Sequence, residues 1–301
     1  MKSSVTLDDP ANNVMRFRSL ARNISLVENE AQGYEKILFE LPPSSSKIIG
    51  ITGAPGAGKS SLTDALIGKI IEDNKSVAVI CIDPSSPFNK GALLGDRIRM
   101  SDWYNHPNVF IRSLASRGAL GGLHPKTIEI SDLMRSSGFD YVIIETVGVG
   151  QSEIDIAGLA DITVVMLVPE GGDVIQTMKA GLMEVADIFV INKADRPGAD
   201  TFYNNLKKML GPVFNKTTKK IPVLKTIAST GEGISSLYKE IKEWKSESIS
   251  QNKIELMAQK VFALIQFQRM KTFDKGKMKR ELEQEIEKEN FNLYLFAKKY
   301  E

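Results

Sequence analysis

The chain has few of the residues that would point to a disulfide framework, a soft-metal centre or a membrane span. A single cysteine, Cys81, occurs among 301 residues, so no disulfide can close within the chain. Its place in the apolar run Val77-Ala78-Val79-Ile80-Cys81-Ile82 predicts a buried thiol. The two histidines, His106 and His124, each directly precede a proline and offer little for a centre built on imidazole and thiolate donors. No apolar run approaches the ~20 residues that cross a bilayer. The start Met1-Lys2-Ser3-Ser4-Val5 is not followed by a signal-peptide core, so a cytoplasmic protein with no membrane partner is expected. Basic and acidic residues nearly cancel, 39 against 37 for a net charge of +2, which removes the electrostatic case for nucleic acid. Internal repeats and low-complexity tracts are absent from the sequence. With 42% apolar and 25% charged residues, the chain has the balance of an ordinary globular protein.

Against this plain background stands Gly53-Ala54-Pro55-Gly56-Ala57-Gly58-Lys59-Ser60, which fits the GxxxxGK[ST] phosphate-binding pattern at every defined position. The apolar run Lys47 to Thr52 precedes it, and Leu62, Ala65, Leu66 and Ile70 follow at helical spacing. Strand, glycine loop and helix start is the context the motif requires. Glycines let successive backbone N–H groups and a helix N-terminus face phosphate oxygens. Lys59 is expected to span the β- and γ-phosphates, Ser60 to ligate magnesium, and the loop through Ser61 to contact the nucleotide.

Further apolar, β-branched runs recur at Ser76 to Ile82, Val109 to Arg112, Tyr141 to Glu145, Ile162 to Val168, Ile188 to Asn192 and Val223 to Ile227. Nearly continuous apolar character predicts an α/β fold of the P-loop NTPase type, with a mostly parallel sheet covered by helices on both faces. Ligands then sit beyond the carboxyl ends of the strands. Residues 1–45 read as an N-terminal helical extension, 46–245 as the nucleotide-binding domain, and 246–301 as a C-terminal helical segment. That last segment has an amphipathic stripe at Ile254, Met257, Ala258, Val261, Phe262 and Ile265, and either packs on its own domain or serves as a dimerisation arm.

Asn192-Lys193-Ala194-Asp195 matches the NKxD pattern that selects guanine. A carboxylate at Asp195 can accept from both the exocyclic amine and the ring N–H, which adenine cannot supply together. Asn192 would support the loop, and the stem of Lys193 would cover the base. Ala228-Ser229-Thr230 resembles an accessory guanine loop, though a plain turn reads equally well.

Glu145-Thr146-Val147-Gly148 stands where DxxG normally approaches the γ-phosphate, with glutamate replacing aspartate and Gly148 offering a backbone N–H. Together with Asp83 and Asp96, Glu145 gives three carboxylates for a magnesium shell. Lys59, Glu145 and Gly148 are the expected catalytic groups. The position after Gly148 is Val149 rather than a water-orienting glutamine, with Gln151 two residues on, so slow unassisted hydrolysis is expected. Arg97, Arg99, Arg112 and Arg117 are candidates for added positive charge.

In this order, GAPGAGKSSL, Asp83-Pro84-Ser85-Ser86-Pro87-Phe88, GALLGDRIRM, SRGALGGL and ETVGVGQSE closely resemble the MeaB, ArgK and MMAA family of GTPases. The resemblance covers roughly residues 10 to 245. It implies a homodimeric, magnesium-dependent chaperone that binds GTP and GDP and protects or reloads an adenosylcobalamin-dependent acyl-CoA mutase, methylmalonyl-CoA mutase foremost. It also implies a third switch at Pro169 to Lys179. Two other classes stay open at this point: a nickel-insertion GTPase, and a kinase acting on a protein or small-molecule acceptor.

Overall fold

The computed structural model describes residues 10–83, 100–116, 123–148, 152–170, 182–214, 221–245, 251–270, 272–288 and 290–300. The chain divides into two compact units, Met1–Ile249 and Ser250–Glu301.

In the first unit, α1 (Pro10–Glu28) and α2 (Tyr34–Phe39) precede β1 (Lys47–Gly53), α3 (Lys59–Glu72), β2 (Val77–Asp83) and β3 (Val109–Ala115). Then come α4 (Thr127–Arg135), β4 (Tyr141–Glu145), α5 (Ser152–Ala157), β5 (Ile162–Leu167), α6 (Leu182–Val185), β6 (Ile188–Ile191), α7 (Ala199–Phe214), β7 (Val223–Lys225) and α8 (Ile234–Glu243). The strands form one sheet in the order β3-β2-β4-β1-β5-β6-β7, every pair parallel.

Successive side chains of a strand point to opposite faces, and here both faces are covered. Ile49, Val79, Cys81, Ile143 and Val164 lie in a core with Leu62, Leu66 and Ile70 of α3 and Leu237 and Ile241 of α8. Their neighbours Ile48, Ile80, Val142 and Ile144 face Leu20, Ile24 and Val27 of α1 and Ile130 and Met134 of α4. Farther along that second face, Val165, Phe189 and Ile191 pack with Phe202, Leu206 and Leu210 of α7. Cys81 is buried, as its apolar run predicts.

At the N-terminal edge of the sheet one device repeats. Asp140, Asp161 and Asp187 each stand directly before a strand and accept a 2.9 Å bond from a backbone N–H of the neighbouring chain segment, at Ser76, Ile48 and Thr163 respectively. Each returns its own N–H to the carbonyl of that same residue, at 3.1, 2.8 and 2.9 Å. These pairs add a rung where the slanted parallel ladder would leave a buried donor open.

Two boundaries differ from the sequence reading by more than one residue. The third strand runs on to Ala115, because β2 pairs with it as far as Asp83↔Ala115. The last strand stops at Lys225, because Ile227 turns away into an isolated antiparallel bridge with Glu232.

The second unit contains α9 (Gln251–Met270), α10 (Lys275–Glu285) and α11 (Leu293–Lys298). Asp274 caps α10 by accepting from Lys277 N, and Asn292 caps α11 by accepting from Tyr294 N and Leu295 N. The stripe of α9 is open to solvent, with Ile254, Met257, Val261, Phe262 and Ile265 between 45% and 61% exposed. Among the described residues no helix is long and apolar enough to cross a membrane.

Candidate functional site

β1 ends at Gly53, and the chain turns through Gly56 and Gly58, both at positive φ, into the first turn of α3. Lys59 and Ser60 therefore begin a helix whose unsatisfied N–H groups mark an anion-binding end. Lys59 is 7% exposed, and its ammonium donates to the carbonyls of Gly53 and Ala54 at 2.9 and 3.1 Å. Gly148 has φ 83, and a Cβ there would fall against the Gly53 carbonyl and 2.5 Å from Lys59 Nζ. Glycine is thus required both by the backbone and by the closeness of the lysine.

Glu145 ends β4 beside β1 and β2, in register with Ile51 and Cys81. It is 3% exposed. Ser60 Oγ donates to its Oε1 at 2.7 Å, and Thr63 Oγ1 approaches its Oε2 at 3.0 Å. The Thr52 and Thr146 hydroxyls, 3.0 Å apart, tie the two strand ends together.

At the other side of the loop, Asn192 follows β6 and is buried at 3% exposure. Its Nδ2 donates to Ala57 O at 2.9 Å, while its Oδ1 accepts from Ala228 N at 3.0 Å and Thr226 Oγ1 at 3.1 Å. Lys193, held at φ 56, donates to Gly56 O at 2.8 Å. One amide and one lysine therefore lock three segments, the phosphate loop, the NKxD loop and the turn after β7, into one frame. Asp195 is exposed at its rim.

The family model described as methylmalonyl Co-A mutase-associated GTPase MeaB matches residues 20–278. The chain belongs to the MeaB family. A Pyrococcus horikoshii protein, provisionally named a GTPase, is 48% identical over 233 residues, which span 76% of this chain and 74% of that protein. The fused isobutyryl-CoA mutase of Paraburkholderia xenovorans is 36% identical over 251 residues, 79% of this chain but 20% of that protein. A solved structure described as an LAO/AO transport system kinase shares the fold, with TM-score 0.61, 24% identity, and coverage of 99% of this chain and 97% of that one.

Within this MeaB-family chain the structure brings together most of the residues singled out in the sequence. Asp83 ends β2 and is 1% exposed. Cys81 and Ile143 lie in the core beneath α3, so Asp83 and Glu145, two residues on from each, point to that same side. Asp96 lies outside the described residues, as do Arg97, Arg99, Arg117, Val149 and Gln151 and most of the loop from Pro169 to Lys179. Arg112 is engaged elsewhere, with its Nη2 2.6 Å from Glu28 Oε2. In the accessory loop, Ala228 gives its N–H to Asn192, while Ser229 and Thr230 are exposed. Glu170, at the start of the Pro169 loop, is ion-paired to Arg196 beside the NKxD segment, and hydrogen bonding from that guanidinium holds its carboxyl below the usual range.

The donor set suits magnesium. The Ser60 hydroxyl, which gives its proton to Glu145, and the neighbouring carboxylates are all hard oxygen donors. Among the described residues no group of three or more His, Cys, Asp or Glu side chains could hold a metal by itself. An ion that takes part of its shell from nucleotide phosphate and water needs no such group. Thr63 is the participant that sequence reasoning missed. Its signal was its place three residues after Ser60, which puts both hydroxyls on one face of a helix.

Proposed function

We propose that this MeaB-family chain binds GTP with magnesium, hydrolyses it to GDP and phosphate, and uses the change to protect or assist cofactor loading of a cobalamin-dependent acyl-CoA mutase. Methylmalonyl-CoA mutase is the foremost candidate. The observation that carries the nucleotide reading is the Asn192 bridge, which joins a base-recognition loop to the phosphate loop through Ala57 O. A single ligand with a base at one end and a triphosphate at the other matches that frame. Asp195 then selects guanine, and Gly53 to Ser61 wrap the phosphates. Lys59 carries charge to the β- and γ-phosphates, and the Gly148 N–H meets the γ-phosphate. Ser60, Asp83, Asp96 and Glu145 hold magnesium directly or through water. The ion itself, when bound, neutralises phosphate charge.

The mutase reading is supported by the family description and by the relative in which a matching segment is part of a fused isobutyryl-CoA mutase. Residues Asp83 to Arg99, Gly148 to Glu153 and Glu170 to Lys179 serve as the nucleotide-dependent switches in this proposal. Residues 46–245 form the GTPase domain behind an N-terminal extension of residues 1–45. Residues 246–301 form a homodimerisation arm, for which the exposed apolar stripe of α9 is the supporting feature.

The test is GTP turnover, followed by phosphate release, with and without purified methylmalonyl-CoA mutase. Slow turnover alone, a nucleotide-dependent complex and faster turnover in that complex are expected. Turnover that no cobalamin-dependent acyl-CoA mutase alters, with no complex formed, would overturn the chaperone role and leave GTP hydrolysis standing.

A further inference from the structure

Glutamate at position 145 is one methylene longer than the aspartate usual at this place in GTPases, and the added torsion lets its carboxylate swing and rotate. Terminal carboxylate torsions are broad, so a single hydrogen bond at Oε1 would fix a point but not a plane. Two hydroxyls on one face of α3 remove that freedom. Ser60 Oγ donates to Oε1 at 2.7 Å and Thr63 Oγ1 reaches Oε2 at 3.0 Å. Thr63 is fully buried at 0% exposure.

Its hydroxyl also lies 3.0 Å from the Lys59 carbonyl. A hydroxyl has one proton to give, and an ionised carboxylate is the stronger acceptor. The Lys59 carbonyl, inside α3, has the backbone N–H four residues on as its ordinary helical partner.

We infer that Thr63 is a positioning residue for the magnesium end of the site: it fixes the plane of the Glu145 carboxylate, and with it the direction of the Ser60 hydroxyl that gives its proton to that carboxylate. The inference rests on the GTP and magnesium reading above. Removal of Thr63 would take away the hydroxyl at Oε2, loosen the plane of the Glu145 carboxylate and draw the Ser60 hydroxyl with it, a change felt by the cation before it is felt by the base.

The experiment titrates magnesium into the full chain with a fluorescent GDP analogue, alongside thermal unfolding, for wild type, Thr63→Val and Thr63→Ser. Thr63→Val should raise the magnesium midpoint on the order of tenfold, the usual effect of losing a group that orients a metal ligand. It should leave analogue binding in EDTA unchanged, and Thr63→Ser should restore the midpoint. Thr63→Ala, which removes the hydroxyl without placing a methyl against Glu145, gives the same reading should the valine variant be unstable. A wild-type midpoint in the hydroxyl-free variants, or lowered thermal stability without a shifted midpoint, overturns the inference while the GTP reading stands. A wild-type chain with no magnesium-dependent binding of the analogue overturns that reading, and the inference with it.

Discussion

The two ends of the parallel sheet use polar residues in opposite ways. At the N-terminal edge, Asp140, Asp161 and Asp187 are committed to backbone N–H groups of neighbouring strand starts. The Ser46 hydroxyl likewise lies within hydrogen-bond reach of the carbonyls of Arg135 and Phe139, and the Lys47 ammonium caps α8 at Ile241, Lys242 and Trp244. At the C-terminal edge, Ser60, Thr63 and Glu145 bond to one another, and Asn192 and Lys193 clasp the phosphate loop. Asp195 there faces solvent. Polar groups below hold the sheet, whereas those above tie the phosphate loop to the strand ends beside it. The second group lies beyond the carboxyl ends of the strands, where open α/β sheets bind ligands.

If the comparison holds, substitutions above should change nucleotide handling and those below should change stability alone. Lys59→Ala should have the largest effect, lowering single-turnover GTP hydrolysis by about 100-fold or more through loss of charge at the phosphates. Turnover close to wild type in a folded variant would remove Lys59 from the role given to it. Asn192→Ala should act on both properties, because the amide is a strut as well as a rim group. Loss of three buried hydrogen bonds should cost about 2–3 kcal/mol in urea unfolding and weaken GDP binding. Normal stability in that variant would show that the three segments are held some other way.

Asp187→Ala should cost about 1 kcal/mol by the same measurement and leave GDP affinity as it was. A clear change in affinity would mean that the lower edge reaches the site. The smallest effect concerns acid. Partial burial alone would raise the Asp140 carboxyl, but the Ser76 N–H, the Lys75 ammonium and the Ser76 hydroxyl together hold it below the usual carboxylate range. Its contribution is therefore present above the unfolded value near 3.9 and lost as pH falls through the lowered native value. Because Asp140 is partly exposed, that contribution is a fraction of a kcal/mol. Asp140→Asn should flatten the loss of stability below about pH 4, and an unchanged acid limb would contradict the assignment.

Much of this was legible in the sequence because apolar runs and glycine loops carry their own context. The run Tyr141 to Glu145 is a strand with those bounds, and the loop at Gly53 to Ser60 joins a strand to a helix. What escaped has partners far along the chain. Thr63 reads as an ordinary helical threonine until Glu145, 82 residues away, is brought beside it. An aspartate before a strand looks like a turn residue, so the bonds of Asp161 and Asp187 to other strands leave no local trace. The short helix α11 falls within the segment 246–301 read as helical, but its bounds were not legible, its start being marked only by the Asn292 cap. The stripe of α9 was legible as a pattern, but a pattern does not say what covers it, and within this chain its side chains are exposed.

The most direct test of the central claim, that the rim is built for guanine, exchanges one atom at Asp195. A carboxylate accepts from the N–H and amine of guanine, whereas an amide offers a donor that suits the carbonyl oxygen xanthine carries in place of that amine. In competition binding with GDP, XDP and ADP, the wild-type chain should prefer GDP, and Asp195→Asn should lose about 100-fold or more in GDP affinity while gaining for XDP. Retention of the GDP preference by Asp195→Asn, or equal binding of ADP and GDP by wild type, would contradict the account.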